Sequence, residues 1–187
     1  MSAKGSNEWA DWLKVFFIAL LFAIIVRKFL FSPIIVDGPS MQPTLYDRDQ
    51  MIVNRFIYYI KDPKRFDIVI FHASEEKDFI KRVIGLPGEH VMVENNILYI
   101  DGEQLDQPFL HPDENTPIAF PNITNDFTLE MLPENHAVIP EGYVLVLGDN
   151  RSNSTDSRSI GLINIDQIVG KTSFVYWPLD RIHVVKE

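Results

Sequence analysis

Three segments of the chain carry residue types that could do chemistry together. Ser40 lies in residues 38–44 (GPSMQPT), and Lys81 lies in residues 79–88 (FIKRVIGLPG). A serine hydroxyl is a weak nucleophile until a base removes its proton. A lysine can serve as that base only when its pKa falls several units below about 10.4, which burial among apolar neighbours can cause. The pair therefore predicts nucleophilic catalysis by a serine with a lysine as general base.

The spacing around Lys81 favours burial of its amine. A run rich in Ile, Val and Phe predicts a strand, in which alternate side chains share one face. Lys81 then lies between Phe79 and Val83, while Arg82 points to the opposite face and can pair with a carboxylate. An exposed strand lysine and an unreactive turn serine are the common alternatives, and these residues alone leave both open.

The third segment, residues 148–158 (GDNRSNSTDSR), directly follows the apolar run Tyr143–Leu147. Clusters of Asn, Asp and Ser usually form surface loops. This cluster also holds two arginines and two aspartates, so it can build a local frame of ion pairs and hydrogen bonds.

Composition excludes several other classes of function. The net charge of −9 over 187 residues argues against a nucleic-acid partner. The absence of cysteine excludes disulfides, thiol nucleophiles and cysteine metal sites. The five histidines are scattered and form no H-E-x-x-H pair, so we expect neither a metal nor a cofactor.

Residues 1–31 predict a tail followed by a single transmembrane anchor. Residues 15–26 carry no charge, but a span needs about 20 residues. Snorkelling of the flanking lysines and arginine would let residues 12–31 cross a bilayer. No A-x-A cleavage signal follows the apolar run, so an uncleaved anchor is favoured over a removed signal peptide. The flanking positive charges balance and leave the orientation open.

Beyond residue 31 the chain predicts a mainly β domain. Short runs rich in β-branched and aromatic residues alternate with turn residues. Without a comparable helical pattern, we expect a folded or closed antiparallel sheet. Residues 102–140 hold six of the 12 prolines and predict a smaller inserted subdomain, so the catalytic domain comprises residues 32–101 and 141–187. The predicted strands are 34–36, 50–53, 67–71, 79–84, 90–93, 97–100, 143–147, 168–169 and 173–177.

The three segments resemble the motif boxes of the bacterial type I signal peptidases. The boxes are S-M-x-P-T at 40–44, K-R-V-I-G-L-P-G at 81–88 and G-D-N-R-x-x-S-x-D-S-R at 148–158. The resemblance implies a membrane-bound serine endopeptidase that removes signal peptides from secreted preproteins after small residues of the Ala-x-Ala type, through an acyl-enzyme. It implies no cofactor, and a single-pass protein of the cell membrane whose catalytic domain lies on the extracytoplasmic side.

The resemblance also implies a role for each matched residue. Ser40 is the nucleophile, Lys81 is the general base, and Ser154 donates a hydrogen bond that orients the Lys81 amine. The remaining charged residues are structural, with Asp149 pairing with Arg82. These structural residues are Arg82, Asp149, Asp156 and Arg158.

The resemblance leaves one part of the mechanism open. Many relatives carry a serine two residues before the nucleophile, and its hydroxyl helps to form the oxyanion hole. Here that position is Gly38, so the expected hole comprises Ser40 and Gly38, with the second donor undecided. The substrate is expected to bind as an added strand between residues 34–37 and 78–80. The candidate residues of its pockets are Ile34, Val36, Met41, Leu45, Asp78 and Ile80.

Two other functions compete with this interpretation. One is a non-catalytic, membrane-tethered β module in which the motifs are relics. The other is a self-cleaving repressor that uses serine and lysine, which would need a DNA-binding domain where this chain has its apolar segment. Intact Ser40, Lys81 and Ser154 favour the peptidase. Its expected partners are signal peptides and the lipid bilayer, and the sequence predicts no oligomeric state.

Overall fold

The computed structural model describes residues 8–25, 31–74, 77–110 and 123–185. Within these ranges the chain forms two α-helices, twelve β-strands and several short 3₁₀ helices. The helices and strands, in chain order, are α1 Glu8–Ile25, β1 Phe31–Ile35, β2 Gln50–Asn54, β3 Ile68–His72, β4 Asp78–Gly85, β5 Val91–Glu94, β6 Ile97–Ile100, β7 Glu103–Leu105, β8 Phe127–Thr128, β9 Tyr143–Leu147, α2 Ser157–Ile160, β10 Ile163–Asn164, β11 Ile168–Trp177 and β12 His183–Val184.

The strands form one large and one small sheet. The large sheet has the order β1-β2-β11-β3-β4-β9-β10, and β12 pairs with β11. The small sheet has the order β7-β6-β5-β8. Every pairing among the described strands is antiparallel. The prediction of a mainly antiparallel β domain is therefore confirmed.

The long strand β11 joins the two halves of the large sheet. It pairs with β2 on one side and with β3 on the other, and its register shifts at several points. A Cβ on Gly170 would lie 2.5 Å from the Asn54 carbonyl oxygen, so only glycine lets β2 approach there. The sequence predicted two strands, 168–169 and 173–177. That division is wrong, because the glycine that interrupts the apolar pattern lies inside one continuous strand.

Strand β4 is covered on both of its faces. It pairs with β3 and β9, and each residue from Lys81 to Gly85 is buried. The Arg82 guanidinium lies over the Phe109 ring on one face of β4, whereas the Lys81 amine lies near Phe79 on the other face. Two consecutive cations are thus removed from water, one on each face.

The N-terminal helix α1 exposes its side chains on all sides. Trp9 and Trp12 are 68% and 74% exposed, and the aliphatic and Phe residues that follow are exposed as well. No helix within the described ranges combines the length and the apolar character that a membrane crossing requires. The predicted anchor ran to Phe31, but Phe31 begins β1. Residues 1–7 and 26–30 of that prediction lie outside the described residues.

The small sheet packs against the large one. Its core residues Val91, Val93 and Leu98 share one apolar cluster with Ile84 of β4 and with residues of β9. The hairpin β5–β6 precedes residue 102, whereas β7 and β8 follow it. The small sheet therefore contains strands from before and from within the predicted insertion. Residues 111–122 of that insertion lie outside the described residues. The strands β7, β8, β10 and β12 were not predicted, because two or three residues carry no periodicity.

Gly85 lies where the two sheets meet, and we expect Gly85→Ala to destabilise the domain. A Cβ there would lie 2.7 Å from Val91 Cγ2 and 2.5 Å from Ile139 Cδ1, and both neighbours are buried. Overpacking of this kind costs about 1–3 kcal/mol. Urea unfolding should show this loss relative to the exposed control Glu94→Ala. Equal stability of the two variants would show that the contact between the sheets can adjust.

Candidate active site

Ser40 lies in the loop that connects β1 to β2. Ser40 is partly exposed, and its backbone is hydrogen-bonded to Asn150, which lies much later in the chain. The Asn150 N–H donates to the Ser40 carbonyl oxygen at 3.0 Å, and the Asn150 side-chain amide donates to the Pro39 carbonyl oxygen at 3.2 Å. The hydroxyl is therefore presented by a loop whose position depends on the segment after β9.

Lys81 extends from β4 towards this hydroxyl. Its Nζ lies 2.9 Å from Ser40 Oγ and 2.9 Å from the Ile80 carbonyl oxygen. The residue is 3% exposed, and the amine lies 5.0 Å from the centroid of the Phe79 ring. A neutral amine at this distance can accept the hydroxyl proton directly.

The surroundings of Lys81 favour its neutral form. Burial lowers the pKa of Lys81 from its usual 10.5 to about 8, and the negative charges of Asp156 and Asp149 only partly offset this effect. Desolvation dominates because a charged amine loses its hydration in an apolar environment. About one-tenth of the lysine is then neutral one pH unit below that value.

Ser154 does not make the hydrogen bond to Lys81 that the resemblance implied. Its Oγ is buried and has no hydrogen-bond partner of normal geometry among the described residues. It packs against Gly148, where an added Cβ would lie 2.2 Å from the hydroxyl oxygen. In this position the Ser154 hydroxyl lies near Asp156. It is close enough to help lower the pKa of the Asp156 carboxyl.

A buried ion pair connects the strand of Lys81 to the loop that follows β9. Arg82 Nε and Nη2 donate to Asp149 Oδ1 and Oδ2 at 2.9 and 2.7 Å, and both side chains are fully buried. The Thr44 hydroxyl donates to the same carboxylate. The pairing of Arg82 with Asp149 agrees with the expectation from the sequence. Thr44 adds a link to the Ser40 loop that we did not foresee.

Asp156 organises the other end of this loop. Its carboxylate accepts hydrogen bonds from the Arg158 guanidinium at 2.8 Å and from the Gly148 N–H at 3.0 Å. It also caps the short helix α2 by accepting from the Arg158 N–H. Burial by itself raises the pKa of Asp156, but the hydrogen bonds and charge of Arg158, together with the Gly148 N–H and the Ser154 hydroxyl, outweigh it and lower the pKa.

An open cleft of about 520 Å³ runs past Ser40 and Lys81. Five of the six predicted pocket residues line it together with Gly38: Ile34, Val36, Met41, Asp78 and Ile80. Leu45 does not line the cleft, because the loop turns it into the core, where it is fully buried. Four lining residues were not singled out from the sequence: Pro39, Ile70, Asn153 and Thr155. The register could have suggested Ile70, which lies opposite Ile80.

Gly38 lines the cleft and has a backbone conformation that favours glycine. Its φ is +90°, and its N–H donates to Asp47 Oδ1 at 2.9 Å. That N–H is therefore already engaged and does not supply the second oxyanion donor in this structure. Within the described residues, no group of three or more His, Asp or Glu side chains is arranged to hold a metal ion.

An antiparallel β domain with a serine hydroxyl and a buried lysine amine in an open cleft is typical of a serine peptidase. The sequence profile described as "Signal peptidase, peptidase S26" matches residues 9–177. The chain belongs to this family and is a serine peptidase, a hydrolase.

The two similar sequences match nearly the whole chain, and a similar solved structure matches part of it. Signal peptidase I of Bacillus caldolyticus is 45% identical over 178 residues, covering 95% of this chain and 94% of that protein. Signal peptidase IB of Staphylococcus aureus strain N315 is 41% identical over 178 residues, covering 94% and 93%. The crystal structure of a signal peptidase I from Enterococcus faecalis V583 aligns with a TM-score of 0.51 at 40% identity, over 60% of this chain and 97% of that one.

The low pKa of Lys81 predicts that this residue costs stability. The cost in free energy of unfolding is full below about pH 8, where Lys81 is protonated in both states. Between about pH 8 and pH 10.5 only the unfolded state is protonated, so the cost falls as the pH rises. We expect Lys81→Met to raise the free energy of unfolding at pH 7 by at most about 3 kcal/mol. Urea unfolding at pH 7 and pH 10 should show the difference from wild type shrinking with pH. A variant that is much less stable at pH 7 would contradict this origin of the shift.

Proposed function

We propose that this protein removes signal peptides from secreted preproteins by endoproteolysis with Ser40 as nucleophile and Lys81 as general base. The observation that carries the proposal is the 2.9 Å contact between Lys81 Nζ and Ser40 Oγ in a site that lowers the pKa of the amine to about 8. The names of the similar proteins, signal peptidase I and signal peptidase IB, support the substrate class.

The proposed reaction uses each group twice. Ser40 Oγ attacks the scissile carbonyl carbon while Lys81 accepts the hydroxyl proton. The amine then returns this proton to the leaving nitrogen, which breaks the peptide bond and leaves an ester on Ser40. Lys81 next takes a proton from water while the water oxygen attacks the ester. The bond between the acyl carbon and Ser40 Oγ then breaks, Lys81 returns the proton to Ser40 Oγ, and the new C-terminal carboxylic acid leaves. In this proposal the Ser40 N–H donates to the oxyanion, and the Gly38 N–H remains bound to Asp47 Oδ1.

The edges of two strands support binding of the substrate as an extended chain. Among the described strands β1 pairs with β2 on one side only. Strand β4 pairs with β9 only from Arg82 onward, so Asp78–Lys81 have a second edge that no described strand covers. Both edges border the cleft, where a peptide could add as a strand. Apolar walls near Ser40, formed by Val36, Met41 and Ile80, favour small residues of the Ala-x-Ala type.

The proposal includes attachment to the cell membrane, with the catalytic domain on the extracytoplasmic side. The apolar side chains of α1 are exposed, and two tryptophans lie at its start. Ser40 follows in the loop after β1 and so lies close in the chain to this segment. A short tether would raise the effective concentration of cleavage sites that are themselves held at the membrane.

Cleavage of a preprotein by the purified full-length protein tests the proposal, with sequencing of the new N-terminus. We expect Ser40→Ala and Lys81→Ala each to reduce cleavage by at least about 1,000-fold, because residues that act as a unit fail together. The exposed residues Ser159 and Lys77 provide matched controls, and their alanine variants should cleave at the wild-type rate. Cleavage by folded Lys81→Ala would refute the assignment of the base. A folded wild type that cleaves no preprotein would favour the non-catalytic β module.

The pH dependence provides a separate prediction. Only the neutral amine accepts the proton, so kcat/KM should rise with pH and level off above the pKa of Lys81, which is about 8. Initial rates on a peptide substrate between pH 6 and pH 10 measure this profile. A rate that is flat over this range would mean that the ionisation of Lys81 does not control the reaction.

A further inference from the structure

Gly148, in the loop after β9, lies against the backbone of Ser40. A Cβ at this position would lie 2.5 Å from the Ser40 carbonyl oxygen. Two residues later, the Asn150 N–H donates to the same oxygen at 3.0 Å. A displacement of Gly148 would therefore move Ser40 with respect to Lys81.

Both backbone polar groups of Gly148 are held by charged side chains. Its N–H donates to Asp156 Oδ2 at 3.0 Å, and its carbonyl oxygen accepts from Arg151 Nε at 3.0 Å. Arg151 is 2% exposed, so its donors depend on partners within the protein. The orientation of the Arg151 guanidinium thus controls one of the two contacts that fix Gly148.

Two further partners of Arg151 come from the predicted insertion, residues 102–140. Arg151 Nη1 donates to Thr124 Oγ1 at 3.1 Å, and Nη2 donates to Gln107 Oε1. Neither acceptor belongs to the three motif segments. Gln107 and Thr124 of the predicted insertion are therefore linked to the Gly148 carbonyl group through the side chain of Arg151.

The same part of the insertion also contacts the second buried arginine of the site. The Phe109 ring centroid lies 3.9 Å from Arg82 Cζ, in a cation–π contact. Phe109 belongs to the 3₁₀ helix Pro108–Leu110, which Gln107 directly precedes. Residues 107–110 thus contact both Arg151, which holds Gly148 next to Ser40, and Arg82, which follows Lys81 on β4.

We propose that Gln107 is a positioning residue, which holds Arg151 so that Gly148 and Ser40 keep their place relative to Lys81. This inference rests on the proposed function and gives the insertion a role in catalysis. Removing the Gln107 amide takes an acceptor away from the buried Arg151 guanidinium, and loss of a partner by a buried polar group costs more than the bond itself. The guanidinium can then turn away from the Gly148 carbonyl, and the loop that holds Ser40 loosens.

The kinetic test compares three variants of the full-length protein on a peptide that contains a signal-peptide cleavage site. Gln107→Ala should lower kcat by about 10- to 100-fold with little change in KM, because a reacting group misplaced by about 1 Å costs up to about 100-fold in rate. Gln107→Glu keeps an oxygen acceptor for Arg151 and should recover most of the wild-type kcat. Gln104→Ala, exposed on β7, is the matched control and should behave as wild type.

Amide hydrogen exchange tests the same inference without catalysis. The Asn150 N–H, which donates to the Ser40 carbonyl oxygen, should exchange at least about 10-fold faster in Gln107→Ala than in Gln104→Ala. Wild-type kcat together with unchanged exchange in Gln107→Ala would overturn the inference. The inference would also be overturned if the loss of kcat in Gln107→Ala equalled its unfolded fraction and Gln107→Glu did not recover kcat. If wild type itself does not cleave the peptide, the proposed function fails, and the exchange measurement still decides the role of Gln107.

Discussion

The buried ion pair between Arg82 and Asp149 is the interaction on which the rest of the site depends. It joins β4 to the loop after β9, and the Thr44 hydroxyl brings the Ser40 loop to the same carboxylate. Transfer of two charges out of water costs several kcal/mol for each ion unless pairing and hydrogen bonds compensate. All three segments must therefore meet in one arrangement, because any other leaves a buried charge without compensation.

The neighbouring residue, Lys81, shows the opposite use of burial. Arg82 is neutralised by a direct bidentate partner, whereas the Lys81 amine faces a hydroxyl and is influenced by Asp156 and Asp149 only through space. The fold thus places Arg82 where its charge is stabilised and Lys81 where the neutral amine is favoured. A strand that is covered on both faces makes this possible, since alternate side chains enter different environments.

Much of the fold and of the site could be predicted from the sequence, where the physical signals are local. Runs rich in β-branched and aromatic residues indicated β3, β4 and β9, and the motif segments indicated Ser40 and Lys81. Contacts made by loops were less accessible: Leu45 entered the core, and Ser154 packed against Gly148 instead of bonding to the lysine. The support of Arg151 by Gln107 and Thr124 was not foreseen, because segments without periodicity give no indication of what they contact.

The position of β11 in the large sheet has a consequence for the order in which the enzyme can form. Ser40 lies in the loop between β1 and β2, and Lys81 lies on β4, but β2 and β3 do not pair with each other in the described sheet. Strand β11, which follows both residues in the chain, lies between these strands. Before β11 is in place, the side-chain contacts around Asp149 link the Ser40 loop to β4, but no described strand joins β2 to β3. The large sheet therefore becomes continuous between Ser40 and Lys81 only when β11 inserts.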